Sequence, residues 1–147
     1  MQKLVIFDFA GTIDSKQELE KNIIESIKNL SGKYNLAIVS STFSSYIKNY
    51  LKERNILSYF SDILGSDFAL SKQDRIKNLL EKYNIAPKDA VYITDSLGDI
   101  FKGNECRIKS IGVTWGLHGK EILEKGNPVA IIDGPVKLFN LVNNTLK

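Results

Sequence analysis

Leu4-Val5-Ile6-Phe7-Asp8-Phe9-Ala10-Gly11-Thr12 begins with four apolar residues, then turns abruptly to a carboxylate and a glycine. The apolar run suits a strand buried on both faces of a parallel sheet. Similar runs recur at 36–39, 90–93, 111–113 and 129–132, with a short one at Ile63-Leu64. Between them lie helical periodicities: Leu19, Ile23, Ile27 and Leu30; Phe43, Tyr46, Ile47, Tyr50 and Leu51; Ile76, Leu79, Leu80 and Tyr83. Strand and helix alternate. That order predicts a three-layer, Rossmann-like α/β fold, with a mostly parallel sheet, helices on both faces and ligands beyond the carboxyl ends of the strands.

Breakers fall between these segments: Ser31-Gly32, Pro87 and Gly134-Pro135. No repeat or low-complexity tract interrupts them, and no interval between strands has room for a second domain. The 147 residues therefore read as one domain, 1–147. With 43% hydrophobic and 25% charged residues the chain is of ordinary globular composition. Its net charge of +3 comes from lysines scattered over the helices, including Lys21, Lys28, Lys48, Lys52 and Lys82, which reads as a solvated surface and not a nucleic-acid footprint. The lone Cys106 can form no intrachain disulfide, so a reducing cytoplasm fits best. The apolar start is broken at Asp8, so it reads as neither a signal peptide nor a membrane span.

Polar residues follow three of the apolar runs: Asp8 to Thr12, Ser40-Ser41-Thr42, and Asp95-Ser96-Leu97-Gly98-Asp99. In a parallel sheet with these strands as neighbours their ends converge, which crowds carboxylates and hydroxyls at one edge. Crowded carboxylates repel unless a cation neutralises them. Mg²⁺, which binds through one or two carboxylates plus phosphate oxygens and water, is the expected ion.

In these segments the chain resembles the haloacid dehalogenase-like superfamily of phosphohydrolases. Asp8-Phe9-Ala10-Gly11-Thr12 is similar to its first motif, Ser40 to its second, Lys72 to its third, and Ile93-Thr94-Asp95 through Asp99 to its fourth. Gly112-Val113-Thr114-Trp115-Gly116 resembles a segment of its phosphoglycolate-phosphatase-like members. The resemblance implies Asp8 as the nucleophile of an aspartyl-phosphate mechanism. It implies Mg²⁺ on Asp8, Asp95 and the Ala10 carbonyl, with Asp99 holding the metal's waters. Ser40, Ser41 and Lys72 would grip the phosphoryl group, and Gly11 and Thr12 would present backbone N–H groups to it. Lys72, ahead of the helix that carries Ile76 to Tyr83, is preferred to Lys77, which falls inside that helix beside its apolar stripe.

Ala10 departs from the pattern, since most phosphatases of this family carry there a second aspartate that protonates the leaving group and later activates water. Such a role is worth about 10²–10⁴-fold in rate. Without it a sugar hydroxyl should leave slowly, whereas an acyl or aryl phosphate needs little protonation. Alanine there also resembles phosphonoacetaldehyde hydrolase, but the interval from Ile13 to Val39 is used up by one helix, so the cap domain that supplies that enzyme's lysine has no place. A change made to trap a ligand is a third reading of the same residue. Without a cap the site would be open, which favours large phosphorylated partners, or oligomers in which a neighbouring subunit is the lid.

Other candidates have plainer readings. Asp14 could replace the missing acid, but Asp14-Ser15 reads better as the cap of a helix starting near Lys16. His118, with no second ligand at metal spacing, reads as a loop residue. Cys106 reads as a packed small residue at a helix-to-strand turn, and Trp115 as either pocket wall or packing. The expected activity is a Mg²⁺-dependent phosphohydrolase or phosphotransferase acting on a small or macromolecular phosphorylated substrate. The alternative is a phosphate-binding or regulatory protein whose turnover has weakened.

Overall fold

The computed structural model describes residues 2–147. Six strands form one sheet: β1 (Leu4–Phe7), β2 (Asn35–Val39), β3 (Asp62–Leu64), β4 (Ala90–Thr94), β5 (Lys109–Val113) and β6 (Ala130–Ile132). Their order is β3-β2-β1-β4-β5-β6, and every pairing is parallel. The helices between and after them are α1 (Gln17–Ser31), α2 (Ser44–Glu53), α3 (Lys72–Lys82), α4 (Leu97–Glu105), α5 (Lys120–Glu124) and α6 (Leu138–Thr145). The three-layer α/β fold expected from the alternating runs is the fold observed.

Alternation along the strands divides the apolar side chains into two cores. Val5, Phe7, Ile38, Val91 and Ile93 join Ile23 and Ile27 of α1, Ile47 and Leu51 of α2, and Leu138 and Val142 of α6. Leu4, Ile6, Val39 and Tyr92 face the opposite way and pack against Ile76, Leu79 and Leu80 of α3. Because both faces are covered, β1 is apolar throughout, as its sequence suggested.

Two helix starts differ from expectation. α1 follows Lys16, with no side chain capping it, and the Ser15 hydroxyl has no hydrogen-bond partner. Asp14 is instead drawn into the preceding turn, where its carbonyl accepts the Gly11 N–H at 2.9 Å. α3 begins at Lys72 itself rather than after it, because the Ser71 hydroxyl accepts the Asp74 N–H at 3.1 Å and caps the helix one residue earlier. No helix among the described residues is long and apolar enough to cross a membrane.

Candidate active site

β1 sits between β2 and β4, so the residues following these three strands meet at one sheet edge. They line a cleft of about 390 Å³ whose walls include Asp8, Ala10, Gly11, Ser40, Ser41, Thr42, Lys72, Asp95, Ser96, Asp99 and Leu117. Every residue that the motifs nominated borders this cleft except Thr12, which is buried just behind it. A larger hollow of about 530 Å³ opens near the other end of the sheet, by Lys3, Lys33 and Asn143, and carries no carboxylate side chain among its walls.

Asp8, Lys72, Asp95 and Asp99 are all buried. The Lys72 ammonium donates to Asp99 at 3.0 Å on each carboxylate oxygen, and lies 3.4 Å from Asp8 Oδ1. Burial pushes the Asp8 carboxyl up to about 8, with Asp99 and a hydrogen bond to Asp95 adding to the rise and Lys72 opposing it. One buried ammonium thus serves two acids, while a third, Asp95, stands beside Asp8. Crowding of this kind holds a proton unless a cation replaces it.

Asp99 is held on every side. Besides Lys72, Thr94 donates to its Oδ2 at 2.8 Å and the Tyr92 hydroxyl lies 3.3 Å away. The Tyr92 phenol is raised well above its usual value by burial and by the Asp99 charge, so it remains a donor. The motif resemblance assigned Asp99 to the waters of a metal; the geometry directs its carboxylate to Lys72, Thr94 and Tyr92.

Asp95 is gripped by the loops. Thr12 donates to its Oδ1 at 3.0 Å and the Leu117 N–H to its Oδ2 at 2.8 Å. Gly11, at φ +81°, and Gly116 pass so close that a β-carbon on either would overlap Asp95 Oδ2. The Gly11 and Thr12 N–H groups, expected to face a phosphate, are used inside the turn, by Asp14 and Phe9 carbonyls at 2.9 and 3.1 Å. A tight turn needs those bonds to close, so the pair serves to position Asp95 instead.

Ser40 is buried, and its Oγ accepts the Thr42 N–H at 3.0 Å, which leaves the hydroxyl hydrogen available as a donor. Ser41 is exposed at the rim. Arg75 was missed in the sequence. Its buried guanidinium places Nη1 2.8 Å from each of the Ser40, Leu64 and Gly65 carbonyls, which share its two hydrogens, tying the end of β2 to the end of β3. Its place one turn after Lys72 on α3 was the available signal, since i and i+3 share a helix face.

Trp115 is packing rather than pocket wall: it is buried, and its indole N–H donates to the Thr12 carbonyl at 3.0 Å. His118 accepts the Leu97 N–H on Nδ1 at 3.0 Å, tying the loop after β5 to the start of α4. Cys106 is buried at the end of α4, where burial raises its thiol, and Lys77 is exposed on α3 away from the cleft. Ala10 puts a bare, exposed methyl group on the cleft wall.

Among the described residues no cluster of three or more His, Cys, Asp or Glu side chains is arranged as a metal cage. The donor set at the cleft floor is smaller, a pair of adjoining carboxylates, Asp8 and Asp95. Such a pair fits Mg²⁺, which takes few protein ligands and keeps waters, better than Zn²⁺ or Ca²⁺.

Comparison with known proteins identifies the family. The sequence profile of the haloacid dehalogenase-like hydrolases matches residues 14–113. A phosphoglycolate phosphatase of Vibrio vulnificus is 27% identical over 128 residues, covering 84% of this chain and 56% of the relative. Another from Photobacterium profundum is 28% identical over 110 residues, covering 73% and 48%. The chain thus spans about half the length of the curated relatives it matches. In fold it is similar to a haloacid dehalogenase-like hydrolase of Streptococcus pneumoniae, with a TM-score of 0.83 at 18% identity over 95% of this chain and 98% of that one. A predicted phosphatase of Clostridium acetobutylicum also gives 0.83, at 19% identity over 98% and 99%. By its matched profile, its topology and the placement of its motifs, this chain belongs to the haloacid dehalogenase-like hydrolase family.

Proposed function

We propose that the chain is a Mg²⁺-dependent phosphohydrolase in which Asp8 is the nucleophile, and that it prefers phosphates whose leaving group needs no proton. The observation that carries this reading is the cleft floor, where buried Asp8 lies between the Lys72 ammonium and Asp95. Asp8, Asp95 and the Ala10 carbonyl would hold the ion, which supplies charge stabilisation at the phosphoryl oxygens. Lys72 and the Ser40 hydroxyl would bind those oxygens, and Asp99 holds Lys72 in place. Asp8 attacks phosphorus, and the leaving oxygen departs with the bonding electrons.

Ala10 decides what can leave. An acyl phosphate releases a carboxylate and an aryl phosphate a phenolate, whereas phosphoglycolate, after which the relatives are named, must release an alkoxide. The cleft is open, with Leu117 71% exposed on its wall, so the substrate can be a small molecule or a phosphorylated macromolecule, and a second subunit could cover it. The cytoplasm is the compartment that best fits a single free cysteine.

A second reading, a phosphate-binding regulatory protein with little turnover, is favoured by Ala10 alone. Turnover of acetyl phosphate and p-nitrophenyl phosphate with Mg²⁺, lost in Asp8→Asn and in chelator, supports the enzyme. Absence of both turnover and Asp8-dependent beryllofluoride binding would overturn it.

A further inference from the structure

Once Asp8 has attacked, the fate of the phosphate it carries depends on whether the cleft holds a base. The titratable walls, among the described residues, are Asp8, Lys72, Asp95 and Asp99. While charged, Lys72 has only donors and no lone pair to take a proton, and Asp99 is taken up by Lys72, Thr94 and Tyr92. Asp95 already accepts from Thr12 and Leu117. The remaining polar walls are the hydroxyls of Ser40, Ser41, Thr42 and Ser96, all far too weakly basic to take a proton from water.

Two further bases, His118 and Asp14, are not among the cleft walls. The only histidine, His118, uses Nδ1 to accept the Leu97 N–H, so in the neutral ring Nε2 carries the proton and no basic lone pair is free. Asp14 is not a cleft wall, and its charge bears on Tyr50, whose phenol burial raises to about 12 with Asp14 contributing.

We infer that Asp8, once phosphorylated, stays phosphorylated long enough to be a distinct state of this protein, charged by acyl phosphates and discharged slowly by water. This rests on Asp8 as the nucleophile proposed above. The two half-reactions differ in their need for a proton acceptor. In the first, an Asp8 oxygen bonds to phosphorus, the bond from phosphorus to the acyl oxygen breaks, and a carboxylate leaves with the electron pair; no proton moves. In the second, water oxygen bonds to phosphorus, the bond to Asp8 breaks and its carboxylate is restored, and the proton that the water sheds has to pass, unassisted by a side chain, to solvent or to the departing phosphate. At the position where the family resemblance places an acid/base aspartate, the cleft wall carries only the exposed methyl group of Ala10. An open cleft supplies water without supplying that base, so the second step is the slow one. General-base assistance is worth about 10²–10⁴-fold, and the lifetime of the phosphorylated form lengthens by a similar factor.

The experiment uses the full chain with Mg²⁺ and acetyl [³²P]phosphate, quenched in acid, beside Asp8→Asn and Ala10→Asp. The expected result is label approaching one phosphate per chain, released by hydroxylamine, absent from Asp8→Asn, and persisting about 10²–10⁴ times longer than in Ala10→Asp. Steady phosphate release with only trace label overturns the inference while leaving the phosphohydrolase reading intact. Equal lifetimes in the native chain and Ala10→Asp also overturn it, since Ala10 would not be the cause. If acetyl phosphate gives neither label nor released phosphate, the proposed function falls and the inference with it.

Discussion

Lys72 holds Asp99 more closely than Asp8: its ammonium is 3.0 Å from both Asp99 oxygens and 3.4 Å from Asp8 Oδ1. Asp99, fixed in turn by Thr94 and Tyr92, sets where the positive charge sits beside Asp8.

Asp99→Asn should therefore leave the fold recognisable and displace Lys72. A misplaced charge of this kind costs about 10²-fold in kcat, with KM for acetyl phosphate changed less. Steady-state kinetics with circular dichroism as the folding control checks this. Asp99→Ala goes further, leaving the Lys72 charge short of a partner in a buried site, and should destabilise by about 3–5 kcal/mol in urea unfolding.

Arg75 Nη1 is shared by the carbonyls of Ser40 after β2, Leu64 at the end of β3 and Gly65 beyond it. Arg75→Met fills much of the same space but donates nothing. It should lower stability by about 3 kcal/mol, since hydrogen bonds from charged donors contribute about 1.5–3 kcal/mol each. Loss of turnover should accompany it, because Ser40 shares that strand end. Unchanged unfolding midpoints would show that the contacts are not structural.

Gly11 and Gly116 leave room for Asp95 and for nothing else. Gly11→Ala and Gly116→Ala should each displace its carboxylate and weaken Mg²⁺ binding by about 10–100-fold, the range for groups that orient a metal ligand. Titration of Mn²⁺ by electron paramagnetic resonance measures this without any turnover. Gly98→Ala, where a β-carbon meets nothing within 4 Å, is the control and should bind as the native chain does.

In chelator, stability should fall as pH rises. The folded Asp8 carboxyl keeps its proton up to about 8, whereas the ordinary value is 3.8. Between those values the folded chain binds more protons than the unfolded one, so the unfolding free energy declines with pH. Melting temperature should drop from about pH 5 to about pH 8, be restored at the upper end by Mg²⁺, and change little with pH in Asp8→Asn. A melting temperature that climbs over this range would contradict the crowded-acid account.

His118→Ala should loosen the loop after β5 from α4 and weaken Mg²⁺ binding, because the neighbouring Leu117 N–H holds Asp95. His118→Asn, whose side-chain oxygen can accept the Leu97 N–H, should recover most of the loss; an equal loss in both variants would separate the loop from the metal site.

Local residue patterns set the layers and the sheet edge at which the chemistry gathers. The continuous apolar run at β1 and the helical stripes at α1 and α3 are local patterns, and a parallel sheet with β2 and β4 flanking β1 brings Asp8, Ser40 and Asp95 together. How the polar groups divide their partners came from packing across the chain. Asp99 turned to Lys72, Thr94 and Tyr92, the Gly11 and Thr12 N–H groups closed their own turn, and Arg75 took the end of β2. Strand formation follows from neighbours along the chain, whereas a buried hydrogen bond depends on distances across it. Each donor binds the acceptor that packing delivers within about 3 Å, and no spacing in the sequence encodes that distance.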